Sequence, residues 1–190
     1  MITELDENIA LVLIDLQNAI VGLTAAPHPM DTVLENANRL IAAFRKAGKP
    51  IVLVNVNHAG AKWTKSRKEA SPGSTSSMQF TEGWDQISPR VDSHPDDIYI
   101  TKHTWSAFYE TALHDELQKR NITNIVLGGV STSIGVEGTA RSASERAYNI
   151  TFISDAMSDL AAEAHERSLK YIFPRMGEVG TTDEVLAFLR

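Results

Sequence analysis

The stretch that decides the fold of this chain reads GGVSTSIGVE and spans residues 128–137. It follows a continuous apolar run at residues 124–127, which is typical of a buried strand, and it precedes a helical pattern that reaches about Tyr148. The stretch is therefore predicted to be a turn between a strand and a helix. Open α/β sheets bind their ligands at turns of this kind, outside the carboxyl ends of the strands.

Strand and helix patterns alternate through the rest of the sequence. Short apolar runs predict strands at residues 9–14, 51–56, 97–101, 124–127 and 149–153, and residues 177–179 are compatible with a sixth. Apolar residues at helical spacing predict helices at residues 31–47, 110–120, about 133–148, 161–173 and 184–189. This alternation predicts one α/β domain over residues 1–190 with a mostly parallel sheet.

Residues 57–97 interrupt the alternation and show no clear hydrophobic period. They contain a basic cluster that consists of Lys62, Lys65, Arg67 and Lys68. A segment of this length in a compact domain is usually a lid or a binding loop, and a solvated excursion is an equally good interpretation.

The composition narrows the classes of function. The formal net charge is -6, from 18 basic and 24 acidic residues, which argues against nucleic-acid binding because phosphate binding normally needs a basic surface. The apolar run at residues 9–16 contains Asp15 and is too short to span a bilayer, so we expect no membrane segment and predict a cytoplasmic location. The sequence has no cysteine, which excludes disulfides, thiolate metal ligands and a cysteine nucleophile.

Two polar residues that follow predicted strands are candidate catalytic residues. Asp15 comes directly after the first strand, where burial can raise the pKa of a carboxyl group and suit it to general acid or base catalysis; a cap at the strand end is an equally good interpretation. Lys102 ends the third strand and could pair with Asp15 or bind an anionic group, although a lysine at a strand end is more often solvated.

The turn itself is a candidate anion site. Its backbone N–H groups lead into a helix N-terminus, which favours an oxyanion or a carboxylate. The glycines could equally serve only the tight turn, and the hydroxyl groups of residues 131–133 could only cap the helix. A serine nucleophile is not expected, because no Gly-x-Ser-x-Gly elbow is present.

No metal site is predicted from the histidines. His58 follows the second strand without a partner at ligand spacing, and the same holds for His94, His103, His114 and His165. Aromatic residues near the predicted loops could line a pocket or simply pack: Trp63, Phe80, Trp84, Trp105 and Phe108.

Three motifs in order resemble the isochorismatase-like hydrolase family. They read ALVLIDLQN at residues 10–18, ITKHTWSAF at residues 100–108 and GGVSTSIGVEGTAR at residues 128–141. The resemblance covers essentially the whole chain. It implies a Rossmann-like three-layer α/β/α sandwich with a six-stranded, mostly parallel sheet in the order 3-2-1-4-5-6, and a cis peptide bond before Ser131.

The resemblance also implies roles for the candidate residues. Asp15 and Lys102 match the catalytic aspartate and lysine, and Gly135 occupies the position where most members carry a cysteine nucleophile. True isochorismatases have glycine there and cleave a vinyl ether without a covalent intermediate or a metal. We therefore expect a metal-independent hydrolase without cofactors, which converts isochorismate to pyruvate and a dihydrodiol with Asp15 as general acid.

The remaining expectations concern the ligand and the assembly. We assign substrate binding to Gln17, Val130, Ser131, Ile134, Trp105 and Phe108. A second carboxylate of the substrate could meet one or more of Lys62, Lys65, Arg67 and Arg90. A homo-oligomer, either a dimer or a tetramer, follows from the resemblance alone. The alternatives are a non-catalytic homologue that binds a small molecule, a hydrolase of another small molecule, and a structural or regulatory subunit.

Overall fold

The fold is centred on strand β1 (Ile9–Ile14), whose six side chains are all buried. A strand that is buried on both faces requires a covering layer on each side of the sheet. Alternate residues of β1 supply the two apolar cores, with Ala10 and Val12 in one and Leu11 and Leu13 in the other. The continuous apolar run therefore places β1 in the middle of three layers.

Six parallel strands form one sheet in the order β3-β2-β1-β4-β5-β6. The computed structural model of the chain describes residues 1–59 and 81–189. In addition to β1, the strands are β2 (Ile51–Val56), β3 (Ile98–Lys102), β4 (Asn124–Val130), β5 (Asn149–Ser158) and β6 (Glu178–Gly180). This order confirms the Rossmann-like sheet that the family resemblance implied.

Helices cover both faces of the sheet. They are α1 (Asn18–Val21), α2 (Met30–Lys46), α3 (Leu113–Gln118), α4 (Glu137–Ser144), α5 (Ala162–Arg167) and α6 (Thr182–Phe188). A π-helical turn (Thr132–Val136) leads into α4, and a second π-helical turn (Ser168–Ile172) and a 3₁₀ turn (Phe173–Arg175) follow α5. Helices α2 and α6 pack on one apolar core, and α3 and α4 pack on the other. Within the described ranges, no helix is both long enough and apolar enough to cross a membrane.

Strand β5 is longer than the sequence predicted. The pattern predicted its end at residue 153, because the polar residues Ser154 and Asp155 follow. In the structure, Ser154 Oγ donates to Gly180 O at 2.9 Å, and Asp155 Oδ1 accepts from the backbone N–H of Thr182 at 2.8 Å. These bonds satisfy both polar side chains, so the strand continues to Ser158.

The close approach of β4 to β1 brings the carboxyl ends of these two strands together. Gly129 pairs with Ile14, the last residue of β1, and has a φ of +115°. A Cβ atom at Gly129 would lie 2.2 Å from the carbonyl oxygen of Ile14, so only glycine fits this position. The residue after Ile14 is Asp15, and the turn of residues 131–135 follows β4. The sheet register thus sets the turn beside Asp15.

Candidate active site

Asp15 and Lys102 form a buried ion pair at the carboxyl end of the sheet. Lys102 Nζ lies 2.8 Å from Asp15 Oδ2, and the two residues are only 2% and 6% exposed. Lys102 Nζ also donates to the backbone oxygen of Thr104 at 3.1 Å. Strand β2 separates β1 from β3, so the long lysine side chain reaches across the end of β2 to the carboxylate. The two candidate catalytic residues are therefore brought together.

The backbone of Asp15 adopts a left-handed conformation, which few residues other than glycine, asparagine and aspartate adopt. Its φ is +54°, in the left-handed region, which costs about 1–2 kcal/mol for a residue with a Cβ. The N–H group of Asp15 donates to Val54 O at 2.8 Å and anchors the residue to β2. This turn of the backbone ends β1 and aims the side chain at Lys102.

Burial and Lys102 act on the Asp15 carboxyl group in opposite directions. Loss of water around the carboxylate raises its pKa, and the charge and hydrogen bond of Lys102 lower it. Burial is the larger effect, and it raises the pKa of Asp15 to about 6. Oδ1 has no hydrogen-bond partner among the described residues, whereas Oδ2 is held by Lys102. When the group is protonated, Oδ1 is the oxygen that can carry the proton toward a ligand.

Gly135 closes the other side of this pair. It lies in the π-helical turn, where a Cβ atom would be 2.9 Å from Ile14 Cγ2, 3.3 Å from Asp15 Oδ2 and 3.7 Å from Lys102 Nζ. The backbone of Gly135 therefore packs directly against the ion pair. Any side chain here would press on the carboxylate or displace Ile14.

The turn before Gly135 uses several of its own N–H groups. The peptide bond between Val130 and Ser131 is cis, as the resemblance implied. The N–H groups of Ile134 and Val136 donate to Ser131 O at 3.2 and 3.1 Å, and that of Ser133 donates to Asp159 Oδ2 at 2.7 Å. These three donors are satisfied within the fold, so the anion site predicted from the turn has fewer free donors than the sequence indicated.

Gln17 has its amide group committed to the neighbouring strand. The side chain is fully buried, its Oε1 accepts from the N–H of Val56 at 2.7 Å and its Nε2 donates to Val56 O at 3.1 Å. The side chain thereby ties the segment after β1 to the end of β2. This contact supports the position of Asp15, two residues earlier.

The other predicted substrate-binding residues lie in different surroundings. Val130 is buried, whereas Ile134 and Trp105 are 38% and 56% exposed. Trp105 borders α4, because a Cβ atom at Gly138 would lie 3.2 Å from Trp105 Cβ. Phe108 packs elsewhere, with its ring beneath the guanidinium of Arg146. Arg146 follows the C-terminal end of α4, which is the end farther from Gly135.

The predicted charged and metal-binding groups are only partly within the described residues. Arg90 pairs with Asp31 at 2.6 Å on the surface. In the part of the chain that the structure describes, no group of three or more histidine or acidic side chains could hold a metal ion. Several predictions lie outside the described residues, namely those on Lys62, Trp63, Lys65, Arg67, Lys68 and Phe80.

Two polar residues near the turn were not assigned to the site from the sequence. Asp159 is buried and binds the backbone of the turn, and His165 is buried with its Nδ1 2.8 Å from Thr132 Oγ1. The sequence showed His165 without a partner, because only metal-ligand spacings were considered. The sequence offered no signal for Asp159, because the pattern ended the strand before it at residue 153.

Three kinds of comparison with known proteins indicate the same family: a family model, related sequences and a solved structure. The family model described as isochorismatase domain matches residues 9–184. The isochorismatase family protein YecD of Escherichia coli O157:H7 is 39% identical over 177 residues, which cover 93% of this chain and 94% of YecD. YwoC of Bacillus subtilis is 40% identical over 178 residues, which cover 93% of this chain and 92% of YwoC.

A solved structure extends this agreement to the backbone. The isochorismatase family protein of Burkholderia thailandensis superposes with a TM-score of 0.90 at 38% identity, and the match covers 97% of each chain. Matches of this extent leave no large element of the sheet without a counterpart. The chain belongs to the isochorismatase family.

Proposed function

We propose that this chain hydrolyses the vinyl ether of isochorismate to pyruvate and a dihydrodiol, with Asp15 as general acid. The single observation that carries the proposal is Asp15 Oδ1, a buried carboxyl oxygen without a partner among the described residues, on a side chain whose other oxygen, Oδ2, faces Gly135. The sequence has no cysteine, so the reaction proceeds without a thiol ester. No step requires a metal ion.

The reaction begins with transfer of the proton from Asp15 Oδ1 to the methylene carbon of the vinyl ether. The double bond becomes a single bond, and the adjacent carbon becomes an oxocarbenium ion. Water adds to that carbon and returns a proton to Asp15. The hemiketal then transfers its hydroxyl proton to the ring oxygen, the bond between the ketal carbon and that oxygen breaks, and pyruvate and the diol leave.

The electrostatics of the ion pair suit both halves of this cycle. At pH 7 a carboxyl group with the ordinary pKa is protonated in fewer than about one molecule in a thousand, whereas a group with a pKa of about 6 is protonated in about one in ten. After the proton has left, the Asp15 carboxylate lies 2.8 Å from the Lys102 ammonium, which stabilises its charge. Lys102 is therefore assigned to the stabilisation of the ionised acid.

The mechanism is tested by finding out which carbon–oxygen bond of the ether is cleaved. With isochorismate in water enriched in oxygen-18, pyruvate should form and the dihydrodiol should contain no label, because water attacks the ether carbon on the pyruvate side. Mass spectrometry of the diol is the measurement. A labelled diol would indicate attack on the ring and would contradict the proposed mechanism. Absence of pyruvate would discard isochorismate and favour another hydrolysable ligand, or a pocket that binds without reaction.

The rate should depend on pH in the direction set by a general acid. Only the protonated form of Asp15 is active, so kcat/KM should be constant well below about pH 6 and fall about tenfold for each pH unit above it. Initial rates of pyruvate release between pH 5 and 9 provide the profile. A rate that increases as the pH passes through 6 would instead assign the ionised carboxylate, acting as a base.

A further inference from the structure

We propose that Asp159 and His165 are positioning residues, which hold the turn of residues 131–135 against Asp15 through Ser133 and Thr132. The proposal rests on the function assigned to Asp15 above. It adds two residues that act through the turn backbone and the threonine hydroxyl. Asp159 directly follows β5, which lies on the side of β4 opposite to β1 and Lys102, and His165 lies in α5.

Asp159 anchors the turn with its carboxylate. Oδ2 accepts from the N–H of Ser133 at 2.7 Å and Oδ1 accepts from the N–H of Leu160 at 2.8 Å. The backbone of Asp159 is itself fixed, because it exchanges two hydrogen bonds with Ala26, at 2.8 and 3.0 Å. A buried carboxylate with two backbone donors forms strong, directional bonds. The carboxylate therefore holds residue 133 in a fixed position relative to the end of β5.

His165 anchors Thr132, the residue before Ser133. Its Nδ1 lies 2.8 Å from Thr132 Oγ1, and both side chains are buried. Burial, with a smaller contribution from the ring of His28, lowers the pKa of His165 to about 4, although Asp159 acts in the other direction. The imidazole is thus neutral at neutral pH and can bond the threonine hydroxyl without introducing a charge beside the turn.

Both anchors act on the first turn of the segment that ends at Gly135. Residues 132 and 133 begin the π-helical turn, and Gly135 packs directly on the carboxylate of Asp15. If either anchor is lost, the turn can move away and admit water beside Asp15. Because burial is the main cause of the raised pKa of Asp15, added water should lower it. A positioning role therefore predicts that loss of either anchor lowers the pKa of Asp15.

The test measures the titration of Asp15 directly. Aspartate labelled with carbon-13 at the side-chain carboxyl is followed by NMR against pH, and the Asp15 signal is identified by its loss in Asp15→Asn. Thr132→Val, His165→Phe and Asp159→Asn should each lower the midpoint by at least half a pH unit and reduce kcat at pH 7 about threefold or more, with little change in KM. Thr132→Ser keeps the hydroxyl and should titrate as the native chain does.

Ser168→Ala is the matched control. It removes another buried hydrogen bond, from Ser168 Oγ to Glu137 Oε2 at 2.7 Å, which lies outside the turn. It should reduce stability and leave the Asp15 midpoint unchanged. Combining Thr132→Val with His165→Phe should lower the midpoint no further than either change alone, since both break one bond.

An unchanged Asp15 midpoint in folded Thr132→Val and His165→Phe would overturn the proposal, even if both variants were less stable. If Asp159→Asn does not fold, the pair Thr132→Val and Thr132→Ser still decides the case for His165. The NMR titration needs no substrate. Lack of turnover by the native chain would therefore count against the proposed reaction alone, and an unchanged midpoint against the positioning role alone.

Discussion

Asp15→Asn should reduce pyruvate release by about a thousandfold or more, within the range that removal of a general acid usually produces. Asparagine has the size and shape of aspartate, so the geometry of the site is kept, but its amide cannot supply a proton at Oδ1. The substrate should still bind, so the loss should appear in kcat. Steady-state rates with isochorismate are the measurement.

The same substitution also affects stability, and the two effects must be separated. Lys102 would remain buried without its carboxylate partner, and breaking a buried pair in this way typically costs about 3–5 kcal/mol. Asp15→Asn combined with Lys102→Met removes both charges and should regain much of the lost stability while remaining inactive. Unfolding by urea, followed by circular dichroism, measures the stability of each variant.

Asp96→Asn serves as the control for the exchange of a carboxylate for an amide. The Asp96 side chain is 91% exposed and lies 3.4 Å from His94 on the surface, so the substitution should leave both rate and stability nearly unchanged. If Asp15→Asn kept more than a tenth of the native rate, Asp15 would not be the proton donor. The reaction would then need another acid.

The main features of the fold could be predicted from the sequence because they depend on local patterns. The apolar run that became β1 is buried along its whole length, and the glycines before Val130 mark the close approach of β4 to β1. Parallel strands put their carboxyl ends at one edge, so Asp15 and Lys102 could be expected to approach each other. The strand order itself came from the resemblance to a family.

The remaining features depend on partners that are distant in the sequence. Nothing local to Ser133 shows that Asp159 accepts its N–H, or that His165 meets Thr132. The pKa of Asp15 likewise reflects burial, which raises it, and the charge of Lys102, which lowers it, and both effects depend on the folded geometry. The oligomeric state and the cytoplasmic location stay predictions.

Gly135→Ala should lower kcat/KM about a hundredfold while the chain remains folded. The new methyl group would lie 2.9 Å from Ile14 Cγ2 and 3.3 Å from Asp15 Oδ2, and it would occupy space beside the acid. Displacement of a catalytic group by about 1 Å can reduce a rate about a hundredfold. Rates and urea unfolding of the same preparation give both quantities.

Gly138→Ala is the matched comparison, because Gly138 lies in α4, directly after the same turn. A Cβ there would approach Trp105 Cβ at 3.2 Å, but neither Asp15 nor Lys102 is among its nearest neighbours. Replacing glycine by alanine in an α-helix favours the helix by about 1 kcal/mol, which offsets part of the crowding at Gly138. The two variants should therefore differ far more in rate than in stability. Equal rates for both would mean that the space beside Gly135 is not used by the reaction, and the acid would have to approach its substrate from another side.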